Sequence, residues 1–142
     1  MARTLRVEIV SAEEEIWAGD AIMVSASAQL GEVGIAPGHT PLITRIKPGE
    51  VRVTTEGGEE ALDIYVSGGI LEVQPYIVTI LADTALRVAD IDEAAARKSR
   101  EEAEALLAEA TPGSGEVDFA AVQRQLAEAS AQLELAKKIR RN

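Results

Sequence analysis

The chain of 142 residues contains no cysteine and a single histidine, His39. A disulfide, a thiolate metal site and a cysteine nucleophile are therefore excluded. A lone histidine acts as a general base only with a nucleophile or a positioned carboxylate in reach, and no recognisable partner motif accompanies it. The many carboxylates are not combined with histidines at metal-site spacing. We therefore expect an interaction protein and not an enzyme.

Aromatic residues and positive charges are also scarce. Trp17, Tyr65, Tyr76 and Phe119 are the full aromatic set, so the core must consist mainly of Val, Ile, Leu and Ala. The formal net charge of −10 argues against general affinity for nucleic acid or anionic membranes. No run approaches the roughly 18 apolar residues of a membrane span. A strand pattern begins at once at the amino end, so we expect a soluble protein without a signal segment.

The first 90 residues contain the alternation of apolar and polar residues that is typical of short β-strands. Apolar and polar residues alternate in four segments: residues 4–10, 21–28, 50–69 and 69–83. The third segment predicts two strands joined at Gly57 and Gly58, and the fourth predicts two strands that bend at Pro75. Strands at this spacing are typical of a β-sandwich or flattened barrel.

The segment that surrounds His39 is rich in glycine and proline. Residues 31–42 read GEVGIAPGHTPL and lack both G-x-G-x-x-G and the P-loop lysine, so phosphate binding is not indicated. We interpret the glycines and prolines as turn residues. A loop stiffened in this way suits a docking surface, because little ordering entropy is lost on binding.

After Asp90 the apolar period becomes helical. Residues 90–110 are rich in good helix formers, and Asp90 with Glu93 resembles a capping box. This helix must stop within residues 111–115, and a second begins near Asp118. The second helix has apolar residues at steps of three and four, which is the spacing of a narrow coiled-coil seam: Phe119, Val122, Leu126, Ala129, Leu133 and Ala136.

Two helices with narrow, alanine-rich stripes do not make a core of their own. The helical arm must therefore pack on the β-domain, on a partner, or on each in turn, which suggests a conformational switch. The second helix ends in a cluster of cations: Lys137, Lys138, Arg140 and Arg141. These cations either favour the helix dipole or meet an acidic partner.

Long blocks of sequence identify the chain as a member of the epsilon-subunit family of bacterial F-type ATP synthases, counterparts of the mitochondrial delta subunit. The blocks are GEVGIAPGHTPLITRIKPGEVRV (31–53), SGGILEVQPYIVTILADTA (67–85) and DIDEAAA (90–96). The resemblance covers essentially the whole chain. It implies an α+β fold, with a β-sandwich over residues 1–88 that docks on the gamma subunit and the c-ring. An antiparallel two-helix hairpin over residues 89–142 would form a mobile regulatory arm.

The resemblance further implies a non-catalytic subunit of the central stalk, peripheral on the cytoplasmic face of the bacterial inner membrane. Such a rotor subunit couples ion-driven rotation of the c-ring to ATP synthesis and inhibits ATP hydrolysis through its C-terminal helices. Its partners are the gamma subunit, the c-ring and the alpha/beta catalytic head. By this likeness Glu32 and His39 would face the ring, and Ser11 would lie toward gamma. The contacts with the head would be basic: Arg124, Lys137, Lys138, Arg140 and Arg141.

No cofactor is expected. Some relatives bind ATP with the folded arm through the motif I/L-D-x-x-R-A, and Ile91, Asp92 and Ala96 match it here. Ala95 replaces the motif's arginine, and Leu86 stands where some ATP-binding relatives carry an acidic residue. A cation for the phosphates is therefore missing, and charge-assisted contacts are the strong ones. We favour the interpretation that Asp92 only helps to begin the helix.

Three classes of function remain open at this point, and each predicts a different result. A rotor-stalk subunit predicts retention by purified gamma subunit and no activity alone. A nucleotide-sensing regulator predicts saturable ATP binding by the isolated chain. A stand-alone enzyme predicts turnover by the pure protein.

Overall fold

A computed structural model describes residues 3–58, 60–109 and 118–141, without side-chain detail for residues 60, 61 and 139–141. The chain forms two compact units, Met1–Arg87 and Val88–Asn142. The change of sequence texture near Asp90 therefore falls close to the boundary between them.

The described part of the first unit is built from nine β-strands. They are β1 (Leu5–Ser11), β2 (Glu15–Ala21), β3 (Met23–Ala28), β4 (Gly31–Ile35), β5 (Leu42–Thr54), β6 (Glu60–Val66), β7 (Gly69–Val73), β8 (Ile77–Ala82) and β9 (Ala85–Arg87). The order along the sheet is β2-β1-β8-β7-β5-β3-β4, and β6 pairs with β5 and with β9. The parallel pair is β1 with β8. Because the strand order ends at β2 on one side and at β4 on the other, and these two strands do not pair, the sheet is not closed into a barrel.

The 13-residue strand β5 belongs to both layers of the sandwich. Residues 42–46 pair with β7, whereas residues 49–54 pair with β6. Between these halves, at Lys47 and Pro48, the buried positions change from the even-numbered Ile46 to the odd-numbered Gly49 and Val51. Such an irregularity lets one strand pass from one layer to the next.

The core between the layers is aliphatic, as the composition predicts. It is formed by Val, Ile, Leu and Ala side chains from β1 to β8, including the fully buried Ala21 of β2, and Ala85 of β9 packs against it. Leu5, Val7 and Ile9, the inward residues of the first predicted strand, are buried. The part of the chain that the structure describes buries no polar or charged residue. Hydrophobic burial between the layers is therefore the main source of stability in this unit.

The predicted strands are confirmed as β1, β3, β6, β7, β8 and the second half of β5. The predicted connections at Gly57, Gly58 and Pro75 are confirmed as well. The interpretation of residues 31–42 as turns is wrong for residues 31–35, which form β4. Two of its five residues are glycine, so the local pattern is weak, and the strand forms because it pairs with β3.

The second unit contains a 3-10 turn (Val88–Asp90) and two helices, α1 (Glu93–Glu109) and α2 (Phe119–Arg141). The backbone N–H of Ala95 donates to Oδ1 of Asp92 at 3.0 Å, so Asp92 is the N-cap of α1. The predicted capping box at Asp90 is wrong, because Asp90 lies in the 3-10 turn. The predicted helix end within residues 111–115 lies outside the described residues.

The helices α1 and α2 pack against each other as an antiparallel hairpin. All six residues of the predicted seam are buried or half-buried: Phe119, Val122, Leu126, Ala129, Leu133 and Ala136. On α1 the buried positions are Ala96 and Ala103. The predicted seam positions are therefore covered, but the covered surface of α2 is wider than the narrow seam predicted, since Leu135 is buried as well.

Candidate interaction surfaces

The loop that carries His39 is a turn of defined geometry. The N–H of His39 donates to the carbonyl of Ala36 at 3.2 Å, with Pro37 and Gly38 between them. Gly38 has φ of 88°, so the turn is of type II, which needs glycine at this position and favours proline before it. The N–H of Gly38 donates to the carbonyl of Pro75 at 2.6 Å, which ties the loop to the β7–β8 turn. The stiffness predicted for this loop thus has a specific structural cause.

The ring of His39 is half-buried, and its Nδ1 lies 2.6 Å from the carbonyl oxygen of Thr40. With the proton on Nδ1 the ring donates to that carbonyl, and Nε2 is then the ring nitrogen left to meet a partner. This arrangement suits a contact residue whose orientation is set before binding.

Glu32 is exposed on β4, the last strand on one side of the sheet, and stands opposite Ser27 of β3. Most of β4 separates it from the loop of His39, a distance of about 10 Å from residue 32 to residue 35 alone. The two predicted ring-facing residues are therefore at opposite ends of the edge strand and not side by side. Beside Glu32, the β3–β4 turn leaves Leu30 100% exposed.

Ser11 uses its hydroxyl within the chain. Its Oγ donates to the carbonyl of Glu14 at 3.3 Å and accepts the N–H groups of Glu13 at 3.4 Å and Glu14 at 3.3 Å. Ser11 therefore shapes the β1–β2 turn, and a contact of this residue with gamma remains a prediction.

The structure also reveals an apolar surface that we did not predict. Val10, Leu81 and Ile70 are in register across β1, β8 and β7, so their side chains share one face. Ile43 joins them from β5, because Ile70 pairs with Arg45 and Ile43 lies two residues earlier on the same face. Ile43, Ile70 and Leu81 are 72%, 44% and 47% exposed. We call Val10, Ile43, Ile70 and Leu81 the outer apolar band.

The sequence did carry a signal for the outer apolar band. Successive residues are apolar in β7 and β8, as in Ile70 with Leu71 and Ile80 with Leu81. A strand with apolar side chains on both faces is expected where both faces are covered. In β7 and β8 one face packs on the core, and the other face is exposed in the isolated chain.

The predicted basic contacts lie on α2. Arg124 is exposed, and Lys137 and Lys138 are half-buried near the end of the helix. Arg140 and Arg141 are among the residues described without side-chain detail. Arg124, Lys137 and Lys138 thus lie on one helix, and several helical turns separate Arg124 from Lys137 and Lys138.

The matches to the ATP motif form a helix start. Asp92 is engaged as the N-cap of α1, Ala95 is exposed and Ala96 is buried. Arg97 does not replace the missing cation, since its Nη2 lies 3.0 Å from Oε1 of Glu93 one turn earlier. ATP binding at Ile91, Asp92 and Ala96 is not favoured by this arrangement.

The described residues, 3–58, 60–109 and 118–141, show neither a metal cluster nor a membrane-spanning helix. They hold no cluster of three or more His, Asp or Glu side chains that could bind a metal ion. Neither helix there is both long enough and apolar enough to cross a membrane.

Both units match models of one protein family. Residues 4–88 match the β-sandwich domain of the ATP synthase delta/epsilon chain, and residues 89–137 match its long α-helix domain. The chain belongs to the family of ATP synthase delta/epsilon chains.

Individual relatives support this membership over nearly the full length. The ATP synthase epsilon chain of Xanthomonas euvesicatoria pv. vesicatoria (strain 85-10) is 60% identical over 139 residues, which cover 98% of this chain and 96% of the relative. The epsilon chain of Xanthomonas oryzae pv. oryzae (strain MAFF 311018) is 58% identical with the same coverage. The similarity to epsilon chains therefore includes the sandwich and the hairpin.

Solved structures show the same fold. A chain of the Euglena gracilis mitochondrial ATP synthase, solved as OSCP/F1/c-ring, matches with a TM-score of 0.80 at 24% identity, covering 94% of this chain and 81% of that chain. A chain from the central stalk/c-ring of the Tetrahymena thermophila mitochondrial ATP synthase matches with a TM-score of 0.58 at 14% identity, covering 96% of each chain.

Proposed function

We propose that this chain is a non-catalytic rotor subunit of an ATP synthase. It couples ion-driven rotation of the c-ring to ATP synthesis, and its C-terminal helices inhibit ATP hydrolysis. It acts as a peripheral protein on the cytoplasmic face of the bacterial inner membrane. Membership of the delta/epsilon family over both units supports this role. The single observation that carries the docking part of the proposal is the outer apolar band.

The outer apolar band has the composition of a protein interface. Charged residues flank it, since Arg45 stands opposite Ile70 and Glu72 stands opposite Ile43. An apolar centre with a polar rim is the usual anatomy of such surfaces. Covering side chains that are about half exposed contributes about 1 kcal/mol each. We assign the foot of the gamma subunit as the partner of this band.

The c-ring contact is assigned to the β4 side of the sandwich. Glu32 and the fully exposed Leu30 lie at one end of this edge strand, and His39 lies beyond the other. The hydrogen-bonded turn around Gly38 keeps the loop in one shape, so little entropy is lost when the ring is bound.

The hairpin is assigned as the regulatory arm. Its apolar seam is closed by the contact of α1 with α2, and the seam residues of α2 would pack on gamma when the arm extends toward the head. Arg124, Lys137 and Lys138 would then meet acidic segments of the alpha/beta head. Opposite charges across such an interface mainly set orientation and association rate.

Binding to purified gamma subunit tests the docking surface. A double variant, Ile70→Ser with Leu81→Ser, should bind gamma about 30-fold more weakly, because two side chains each lose about 1 kcal/mol of burial. Met23→Ser is the matched control, since Met23 is 41% exposed on a strand outside the band. Isothermal titration calorimetry measures all three affinities.

Equal affinities for the double variant and the control would contradict the assignment of the outer apolar band. Failure of the unmodified chain to bind gamma at all would contradict the rotor function itself.

A further inference from the structure

One polar side chain crosses the seam between α1 and α2. The amide Nε2 of Gln125 donates to the carbonyl oxygen of Ser99 at 3.0 Å and to its Oγ at 3.2 Å, in a partly buried setting. The neighbouring seam positions are apolar, with Ala96 and Ala103 buried on α1 and Val122 and Ala129 buried on α2. The Gln125–Ser99 contact is therefore a polar link within an apolar part of the seam.

The contact is significant because the α1 side of this seam buries only the alanines Ala96 and Ala103. An alanine brings one methyl group to the interface, so each apposed position adds little hydrophobic stabilisation. Isolated helices are also marginal in water without tertiary packing. The equilibrium between a closed and an open hairpin consequently gains little from α1, and its apolar contribution comes from α2 residues such as Val122 and Leu133. A hydrogen bond of ordinary net strength changes such an equilibrium about threefold to tenfold.

The contact is also specific for one alignment of the helices. Both acceptors belong to Ser99, so the amide reaches them together in one register only. A slip of one helical turn, about 5.4 Å, would carry Gln125 away from Ser99. The small alanines of α1 discriminate poorly between registers, whereas a polar residue in an apolar seam is known to select one.

We propose that Gln125 and Ser99 form a clamp that sets the register of α1 and α2 and holds the hairpin closed. Gln125 is the positioning residue of this clamp, because it provides the donor for both contacts. The consequence for ATP hydrolysis rests on the proposed function: an arm that extends along gamma must first break the clamp. The structural part of the proposal is independent of that function.

The absence of cysteine allows a clean distance measurement on the full chain. Spin labels are attached after Ala94→Cys and Ala127→Cys, at exposed positions on α1 and α2. Double electron–electron resonance then gives the distance between the two spin labels across a urea series. Urea raises the population of the open hairpin, so opening can be measured even if the open form is rare in buffer. Fluorescence of Trp17, the single tryptophan, confirms that the β-domain stays folded.

Three variants remove the clamp by different means. Gln125→Ala deletes the amide, and Gln125→Glu keeps its shape but cannot donate. Each should raise the open-to-closed ratio about tenfold and lower the urea midpoint of opening. Ser99→Ala should raise the ratio about threefold, because the carbonyl acceptor remains. Gln123→Ala, an exposed glutamine on the same helix, is the matched control and should leave the distances unchanged.

Identical opening midpoints for Gln125→Ala, Ser99→Ala and Gln123→Ala would overturn the clamp. The same variants are then added to a cognate catalytic head that lacks this subunit. If the arm inhibits, Gln125→Ala should inhibit ATP hydrolysis at about tenfold lower concentration. Changed distances with unchanged inhibition would support the clamp and contradict the inhibitory role of the arm, so the two failures are distinguishable.

Discussion

Gly69 is a residue whose side chain must be absent for the sheet to form. Its φ is 145°, and a Cβ at this position would overlap the carbonyl oxygen of Leu81 on the neighbouring strand β8. Both the backbone conformation and the space therefore require glycine. This residue lies in the SGGILEV block, so a local steric requirement underlies part of the family resemblance.

Gly69→Ala should lower the free energy of unfolding by about 3 kcal/mol or more, because the β7–β8 pairing must shift to relieve the overlap. Urea unfolding followed by Trp17 fluorescence measures the change. Gly34→Ala is the control, since its nearest neighbour would be Sδ of Met23 at 3.8 Å and it should change stability by about 0.5 kcal/mol or less. Equal midpoints for the two variants would contradict this steric account.

For single residues, the sequence predicted local backbone stiffness better than it predicted hydrogen-bond partners. The stiffness of the loop at His39 followed from its glycines and prolines. The use of the Ser11 hydroxyl inside the β1–β2 turn did not follow. For α1 the sequence indicated both Asp90 and Asp92 at the helix start and did not decide which of them is the N-cap, which is Asp92. A hydrogen-bond partner changes when a helix or turn begins one or two residues earlier or later. Composition and apolar period do not determine such boundaries to that precision.

The helices α1 and α2 each begin at an aspartate cap. The N–H of Ala121 donates to Oδ1 of Asp118 at 3.1 Å, as the N–H of Ala95 does to Asp92. Each cap satisfies one of the N–H groups that have no partner inside the helix. The hairpin, with its small seam, therefore depends on its ends more than a helix with a broad apolar face does.

Asp118→Ala should destabilise the hairpin by about 1 kcal/mol, because the capping hydrogen bond is lost. Asp118→Asn should be close to neutral, since asparagine caps helices about as well as aspartate. The interhelical distance in a urea series gives both values. A loss for asparagine as large as that for alanine would mean that charge at the helix start, and not the hydrogen bond, provides the stabilisation.

The elements that sequence predicted are those with a strong local period. The strands β1, β3, β7 and β8 and the seam of α2 belong to this group. The strands β2 and β4 were not predicted, because glycine and acidic residues interrupt their apolar pattern; each pairs with the strand that precedes it in sequence. The strand β9 was not predicted because it has three residues and pairs with the more distant β6. The outer apolar band was not predicted for a related reason: which face of β7 and β8 meets the core is decided by the whole sheet.

At the scale of the whole molecule, the two units divide the proposed work. The sandwich has its own aliphatic core and carries the outer apolar band, so gamma binding should not need the helices. The hairpin carries the clamp and the described basic residues of α2. The fold class could be predicted from the period change near Asp90 together with the family resemblance. The functional surfaces could not, because a docking face is defined by a partner that is absent from the chain's own sequence.

The central claim is that residues 91–142 are a brake on ATP hydrolysis while the sandwich provides docking. ATP hydrolysis by the cognate catalytic head, depleted of this subunit, is measured with the full chain or with a chain ending at Asp90 added over a range of concentrations. The account predicts that both forms bind gamma with similar affinity and that only the full chain inhibits. Equal inhibition by both forms, or none by either despite binding, would contradict the claim.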